Sequence, residues 1–172
     1  MEASGSEAAA RVRAGSPPRL VAVRGAGAGA RAARPTARLV VFLGVADDAS
    51  GRVAAALLAH RSKGRVLAVS ASTATVELDP VVVASLAEVG VDLARCRTRP
   101  PSPRLLQQAG LVVVMGYVRD APATATRTED WCIDDPRGKD AATVRFIRDA
   151  IDRRVQRLLI RLGVAVPAGR AP

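Results

Sequence analysis

The chain has 172 residues, enough for one domain of ordinary size and a tail. Since 49% of the residues are apolar and only 2% are aromatic, full-length disorder is excluded and the core must be built from Val, Leu, Ile and Ala. The net charge is +10, carried by 26 basic residues of which only Lys63 and Lys139 are lysine, so the composition admits a polyanionic partner.

The cysteine content and the distribution of apolar residues bear on the cellular compartment. Cys96 and Cys132 are too few for a disulfide scaffold and indicate a reducing environment. The sequence has no run of about 18 apolar residues, so it predicts no membrane-spanning helix. The N-terminus also lacks the apolar segment of a secretory signal. We therefore expect a cytoplasmic protein that does not contact a membrane.

The two ends of the chain differ in composition from the middle. Residues 1–37 consist mainly of Ala, Gly, Arg, Pro and Ser, which predicts a disordered basic tail. We expect a folded domain at 38–163 and a flexible C-terminal tail at 164–172. Residues 1–38 contain seven Arg and two Glu, so they carry half of the net charge. Any polyanion binding is therefore expected to be weak, salt-sensitive and located in the N-terminal tail.

The folded part opens with a strand, a loop and a helix. Residues 39–43 form a continuous apolar run, typical of a strand that is buried on both faces. The loop 44–51 follows. Residues 52–60 carry apolar side chains at helical spacing, and 66–69 resemble a second short strand.

The second half of the chain continues this alternation. Asp79 followed by Pro80 predicts the capped start of a helix that runs to Glu88. The remaining predicted elements are a short helix from the Pro-rich segment 100–103 to Gln108, strands at 111–115 and 127–133, and a last helix whose apolar stripe runs from Val144 to Leu162 and ends before Gly163.

Strands that alternate with helices and are apolar throughout predict an α/β domain with a parallel sheet. Ligands of such sheets bind beyond the carboxyl ends of the strands. The loops after the first and third predicted strands, 44–51 and 116–122, are therefore the candidate binding loops.

Five segments of the chain follow one another in the order of a known family. They are Val41–Leu58, Asp79–Leu93, Leu111–Gly116, Glu129–Pro136 and the terminal helix around Arg148–Asp149. Together they resemble the low-molecular-weight protein tyrosine phosphatase and arsenate reductase family, and within it the thiol-linked arsenate reductases most closely. The resemblance covers roughly residues 38–162 and implies a flavodoxin-like three-layer sandwich with a four-stranded parallel sheet.

The resemblance also implies a catalytic loop, from which this sequence departs. In the family, a cysteine thiolate at the start of the loop attacks phosphorus or arsenic, and an arginine six residues later holds the oxyanion. The corresponding positions here are Gly44 and Ser50, which supply neither a nucleophile nor a guanidinium. Between them stand Val45, Ala46, Asp47, Asp48 and Ala49, and Gly51 and Arg52 follow.

The charges of this loop also oppose oxyanion binding. At ~5 Å and an effective dielectric constant near 20, Asp47 and Asp48 would each repel a unit negative charge by roughly 3 kcal/mol. Arg52 lies two residues too late and would neutralise them only in part. The further cysteines of the reductase branch are absent from 117–122, and neither cysteine of this chain matches a family nucleophile.

One family position is retained. Asp135, in the sequence Asp134-Asp135-Pro136, matches the general acid that protonates the leaving group in the family. Without a nucleophile, the residue is instead expected to cap a loop or the start of a helix.

We therefore expect a family member that has lost its catalytic chemistry and acts as a binding or regulatory module, without a cofactor or metal and with a partner that the sequence does not identify. One alternative is an enzyme with altered chemistry based on Asp47, Asp48 or Asp135, with or without a divalent cation. Another is polyanion binding through residues 1–37. The single histidine, His60, is predicted to be a surface or rim residue.

Overall fold

The computed structural model describes residues 20–21, 36–44, 49–74, 77, 79–116, 125 and 127–164. Several predicted features lie outside these residues. They are nearly all of the N-terminal tail, loop residues Val45, Ala46, Asp47 and Asp48, most of the second candidate loop from Tyr117 onward, and the C-terminal tail after Val164.

The described residues form one six-stranded sheet. Its strands are β1 (Leu20–Val21), β2 (Thr36–Gly44), β3 (Leu67–Ala71), β4 (Thr98–Arg99), β5 (Ala109–Met115) and β6 (Thr128–Trp131), in the spatial order β1-β6-β5-β2-β3-β4. Strands β2 to β6 are parallel, and β1 pairs antiparallel with β6. The α/β prediction is confirmed, but the sheet has five parallel strands where four were predicted. The extra one, β4, has two residues and no apolar run to signal it.

The described residues form four helices: α1 (Ser50–Arg61), α2 (Pro80–Ala87), α3 (Pro103–Gln108) and α4 (Ala141–Arg161), with a 3₁₀ turn at Leu93–Arg95. The first three lie between strands, and α4 follows the last strand. The predicted start of α2 is confirmed, because Asp79 Oδ1 accepts the Val81 N–H at 2.8 Å. Ser102 and Asp140 cap α3 and α4 in the same way. Gly163 ends α4 with φ +66, a left-handed conformation that favours glycine.

The sheet is covered on both faces, as its apolar strands require. Val40 and Phe42 of β2 face a cluster formed with α1, α2 and α4, whereas Leu39 and Val41 face a smaller cluster that includes Leu106 of α3. This arrangement is the predicted three-layer sandwich. No helix among the described residues is long and apolar enough to cross a membrane.

Helix α4 packs through the predicted apolar stripe, whose buried members are Val144, Ile147, Ile151, Val155 and Leu158. Arg148 lies beside this stripe, but it is also buried, since it donates to the Ser85 carbonyl at 2.6 Å and to Glu88 at 3.0 Å. These contacts join α4 to α2.

Candidate functional site

The end of β2 and the start of α1 meet at the carboxyl edge of the sheet, where ligands of parallel sheets bind. Gly44, the last residue of β2, pairs with Met115 at the end of β5, and Met115 pairs with Trp131 at the end of β6. Helix α1 begins at Ser50, six residues after Gly44. The two ends of the predicted loop, Gly44 and Ser50, therefore both lie at the carboxyl edge of the sheet.

The first turn of α1 packs closely on the sheet. Ser50 is completely buried, and Ala49 and Gly51 are also buried. A Cβ atom at Gly51 would lie 3.6 Å from both Met115 Cγ and the Phe42 carbonyl oxygen. The start of the helix thus rests directly against β2 and β5, and the residue at position 50 contributes a small hydroxyl there.

Asp135 binds the backbone at the start of α1. The N-cap residue Ala49 has no side chain able to cap the helix. Its backbone N–H donates instead to Asp135 Oδ1 at 3.4 Å. A carboxylate at this position interacts favourably with the positive end of the helix dipole. Asp135 is therefore brought to the predicted loop, at its C-terminal end.

The carboxylate of Asp135 is also bound by Arg137. Oδ1 accepts the Arg137 backbone N–H at 3.1 Å, and Oδ2 accepts the guanidinium Nε and Nη2 at 2.9 and 2.6 Å. The next residue, Gly138, donates its N–H to Asp79 Oδ2 at 2.9 Å, and this bond lowers the pKa of Asp79. The turn that carries Asp135 is thereby attached to the start of α2. The binding of Arg137 to Asp135 was not predicted from the sequence. The signal for this contact was an arginine two residues after Asp135 in the sequence Asp135-Pro136-Arg137.

Arg52 lies one turn into α1. Its Nε donates to the Cys96 carbonyl at 2.6 Å and joins the helix to the end of the 3₁₀ turn. The predicted partial neutralisation of Asp47 and Asp48 concerns residues outside the described part of the chain.

Neither cysteine is activated as a nucleophile. Cys132 is exposed just after β6, where partial burial and the charge of Asp130 raise the pKa of its thiol. Burial likewise raises the pKa of the Cys96 thiol, against a smaller opposing effect of the Arg52 charge. Nucleophilic cysteines in enzymes have a lowered pKa, because the thiolate is the reactive form.

The described residues also offer little for a metal or a stacked ring. They contain no group of three or more His, Cys, Asp or Glu side chains that could hold a metal ion. Trp131 is buried and packs edge-on against Phe42 with ring centroids 5.6 Å apart, so it is a core residue. His60 is exposed, as predicted.

Sequence comparison relates the chain to a protein named as an arsenate reductase. No protein-family model matches the chain. A Halobacterium salinarum protein named "Putative arsenate reductase" is 36% identical over 75 residues, which are 43% of this chain and 53% of the relative, so the match spans about half of that protein.

Solved structures share the fold over a larger part of the chain. An arsenate reductase in the phosphate-binding state superposes with a TM-score of 0.63 at 20% identity, covering 73% of this chain and 98% of the other. The tyrosine phosphatase Wzb from Escherichia coli K30 has a TM-score of 0.62 at 18% identity, covering 73% and 99%. The resemblance to arsenate reductases and tyrosine phosphatases is therefore confirmed.

Proposed function

We propose that this chain has lost the thiol chemistry of the arsenate reductase and tyrosine phosphatase family and acts as a binding or regulatory module. The proposal starts from its relationship to arsenate reductases and from the fold that it shares with tyrosine phosphatases. The observation that carries the proposal is the pair of residues at the ends of the loop. Gly44 ends β2 without a nucleophile, and the buried Ser50 begins α1 without a guanidinium.

The contacts of Asp135 support this proposal. An oxyanion at the start of α1 would be held by backbone N–H groups and by a cationic side chain. Here the N–H of Ala49 and the guanidinium of Arg137 are both bound by Asp135. The chain's own carboxylate thus occupies donors that an oxyanion would need.

The thiols support the proposal in a second way. The pKa values of Cys96 and Cys132 are both raised, so both thiols are protonated at neutral pH. A reaction through either cysteine would require a lowered pKa. The unpaired state of both cysteines agrees with the cytoplasmic location that we propose.

The proposal is tested by turnover assays of the full chain. We expect no release of p-nitrophenol from p-nitrophenyl phosphate above the blank, and no reduction of arsenate in the presence of a low-molecular-weight thiol. Turnover that disappears in an Asp135→Asn or Cys132→Ser variant would refute the proposal. Turnover that requires added Mg²⁺ or Mn²⁺ would instead favour the enzyme with altered, metal-assisted chemistry.

A double variant serves as the matched comparison. Gly44→Cys together with Ser50→Arg restores the two groups that the family mechanism uses. Because Asp47, Asp48 and the Asp135 contact with Ala49 are unchanged in this variant, we expect it to hydrolyse p-nitrophenyl phosphate no faster than the unmodified chain. Hydrolysis above that level would show that the residues at positions 44 and 50 alone account for the lost chemistry.

A further inference from the structure

A groove with a volume of about 590 Å³ runs along the outer side of α1. We call it the α1 groove, and its lining comes from α1, the turn after it, β3 and the segment around the 3₁₀ turn: residues 55, 56, 59, 60, 63, 64, 68, 90–92, 95 and 96. Its volume falls within the range of small-molecule sites. None of these residues belongs to the site at the start of α1, so the inference drawn from the groove goes beyond the proposed function.

Four alanines contribute to the lining of the groove, and we call them the alanine floor. Ala55, Ala56 and Ala59 of α1 and Ala68 of β3 line it with methyl groups only. At its edge, Gly90 has φ +76, so a larger residue would be strained there. A Cβ atom on Gly90 would lie 3.8 Å from Cε1 of the His60 ring. Small residues thus leave room above the floor for a flat organic group.

Two basic side chains line the groove, Lys63 of the turn after α1 and Arg95 of the 3₁₀ turn, and His60 at the end of α1 lines it as well. Among the described residues, no carboxylate forms an ion pair with any of these three. Asp92 is the acidic residue in the lining, and its Oδ1 accepts the Ala94 N–H at 3.0 Å as the cap of the 3₁₀ turn. Positive charge therefore exceeds negative charge around the groove.

The C-terminal end of α1 does not cancel this excess. Free carbonyl oxygens at a helix end would repel an anion. Here the turn after α1 binds three of them: the Ser62, Lys63 and Gly64 N–H groups donate at 2.9, 3.0 and 3.1 Å. The acceptors are the carbonyls of Leu58, His60 and Ala59, respectively.

We propose that the α1 groove binds a small organic phosphate. Its dianionic phosphoryl group pairs with Lys63 and Arg95, and its apolar or aromatic body lies over the alanine floor. Two cations of fixed charge match a dianion better than a carboxylate, and the volume exceeds what inorganic phosphate alone would fill. His60 contributes a hydrogen-bond donor to the same group.

The two cysteines provide a direct test, since Cys96 lines the groove and Cys132 lies exposed after β6. The full chain is alkylated with N-ethylmaleimide, with and without phenyl phosphate, and modification at each cysteine is followed by peptide mass spectrometry. We expect saturating phenyl phosphate to slow modification of Cys96 at least 5-fold, an order-of-magnitude expectation for an occupied site, and to leave Cys132 unchanged. Protection of Cys132 instead of Cys96 would place the ligand outside the α1 groove and overturn the proposal.

Variants and ligand analogues sharpen the test. Lys63→Gln and Arg95→Gln are each expected to weaken phenyl phosphate binding about 10-fold, which corresponds to about 1.4 kcal/mol. The control variants Lys139→Gln and Arg157→Gln, which remove exposed cations outside the lining, should bind as the unmodified chain does. Because Cys96 is partly buried, calorimetric titration of phenyl phosphate provides a second reading of the same affinities.

Three further results would overturn the proposal. They are the absence of both a calorimetric signal and Cys96 protection, equal binding of benzoate, and equal binding of inorganic phosphate. If Lys63→Gln no longer binds phenyl phosphate, the proposed groove site is supported. If p-nitrophenyl phosphate turnover also stays at the blank in that variant, the proposed function is unaffected. The two proposals therefore fail separately.

Discussion

The Asp135 carboxylate accepts the backbone N–H of Ala49 across 86 positions of the chain, and it is the link between the start of α1 and the turn before α4. In an oxyanion-binding protein, donors at such a helix start point to an exogenous anion. Here the negative partner is part of the chain and is neutralised by Arg137. The start of α1 thus has a negatively charged partner within the chain itself.

Removing this carboxylate is expected to destabilise the fold. Asp135→Ala should lower the free energy of unfolding by about 1 kcal/mol, the usual cost of losing a helix cap. The measurement is urea unfolding followed by circular dichroism. Asp134→Ala changes an exposed neighbour and should have an effect below about 0.5 kcal/mol. Equal stabilities of the two variants would show that the Ala49 contact contributes nothing.

The ion pairs of Glu88 with Arg145 and Arg148 predict that the stability of the fold depends on pH. Hydrogen bonds from Arg145 and Arg148 lower the pKa of Glu88 from 4.5 to about 2. A carboxyl whose pKa is lower in the folded state stabilises the fold fully above its ordinary pKa, and this contribution is lost as pH falls from about 4.5 to about 2. Glu88→Gln should therefore be less stable than the unmodified chain at pH 7, and the difference should shrink markedly by about pH 2.5. A difference that is constant across this range would contradict the prediction.

Because the carboxylate of Glu129 is buried, replacing its partner Arg161 should lower the free energy of unfolding more than replacing Asp135 does. Glu129 is 1% exposed, and its Oε2 accepts from Arg161 Nη2 at 2.8 Å, whereas Oε1 is buried without a hydrogen-bond partner. Arg161→Ala would leave this charge without its cation, which should cost about 3 kcal/mol of unfolding free energy. Arg157→Ala, one turn earlier on α4 and exposed, should cost less than about 0.5 kcal/mol. Chemical denaturation of both variants measures the contrast, and similar losses would refute it.

Much of the fold follows from local sequence signals. The apolar runs of β2 and β5 predicted strands covered on both faces, and Asp79 with Pro80 predicted the start of α2. These features depend on hydrophobic burial and on hydrogen bonds between residues that are close in the sequence, so they can be predicted from short segments of it. The two-residue β4 lacks such a signal, because its position is determined by pairing with β3.

The site was predictable to a smaller degree. The family resemblance named Gly44, Ser50 and Asp135 as site positions. The contact of Asp135 with Ala49 was not predicted, because it depends on how the segment before α4 lies against the start of α1. The α1 groove was not predicted, since its cations come from separate segments and each resembles an ordinary surface residue in the sequence. The burial of Arg148 escaped prediction for the same reason: its partners lie on α2.

The loss of oxyanion binding at the start of α1 is tested most directly by nuclear magnetic resonance titration of the ¹⁵N-labelled chain with inorganic phosphate. We expect the backbone amide signals of Ala49, Ser50 and Gly51 to show no saturable shift. Saturable shifts of these three amides, reproduced with arsenate, would contradict the proposal that the chain has abandoned the oxyanion chemistry of its relatives.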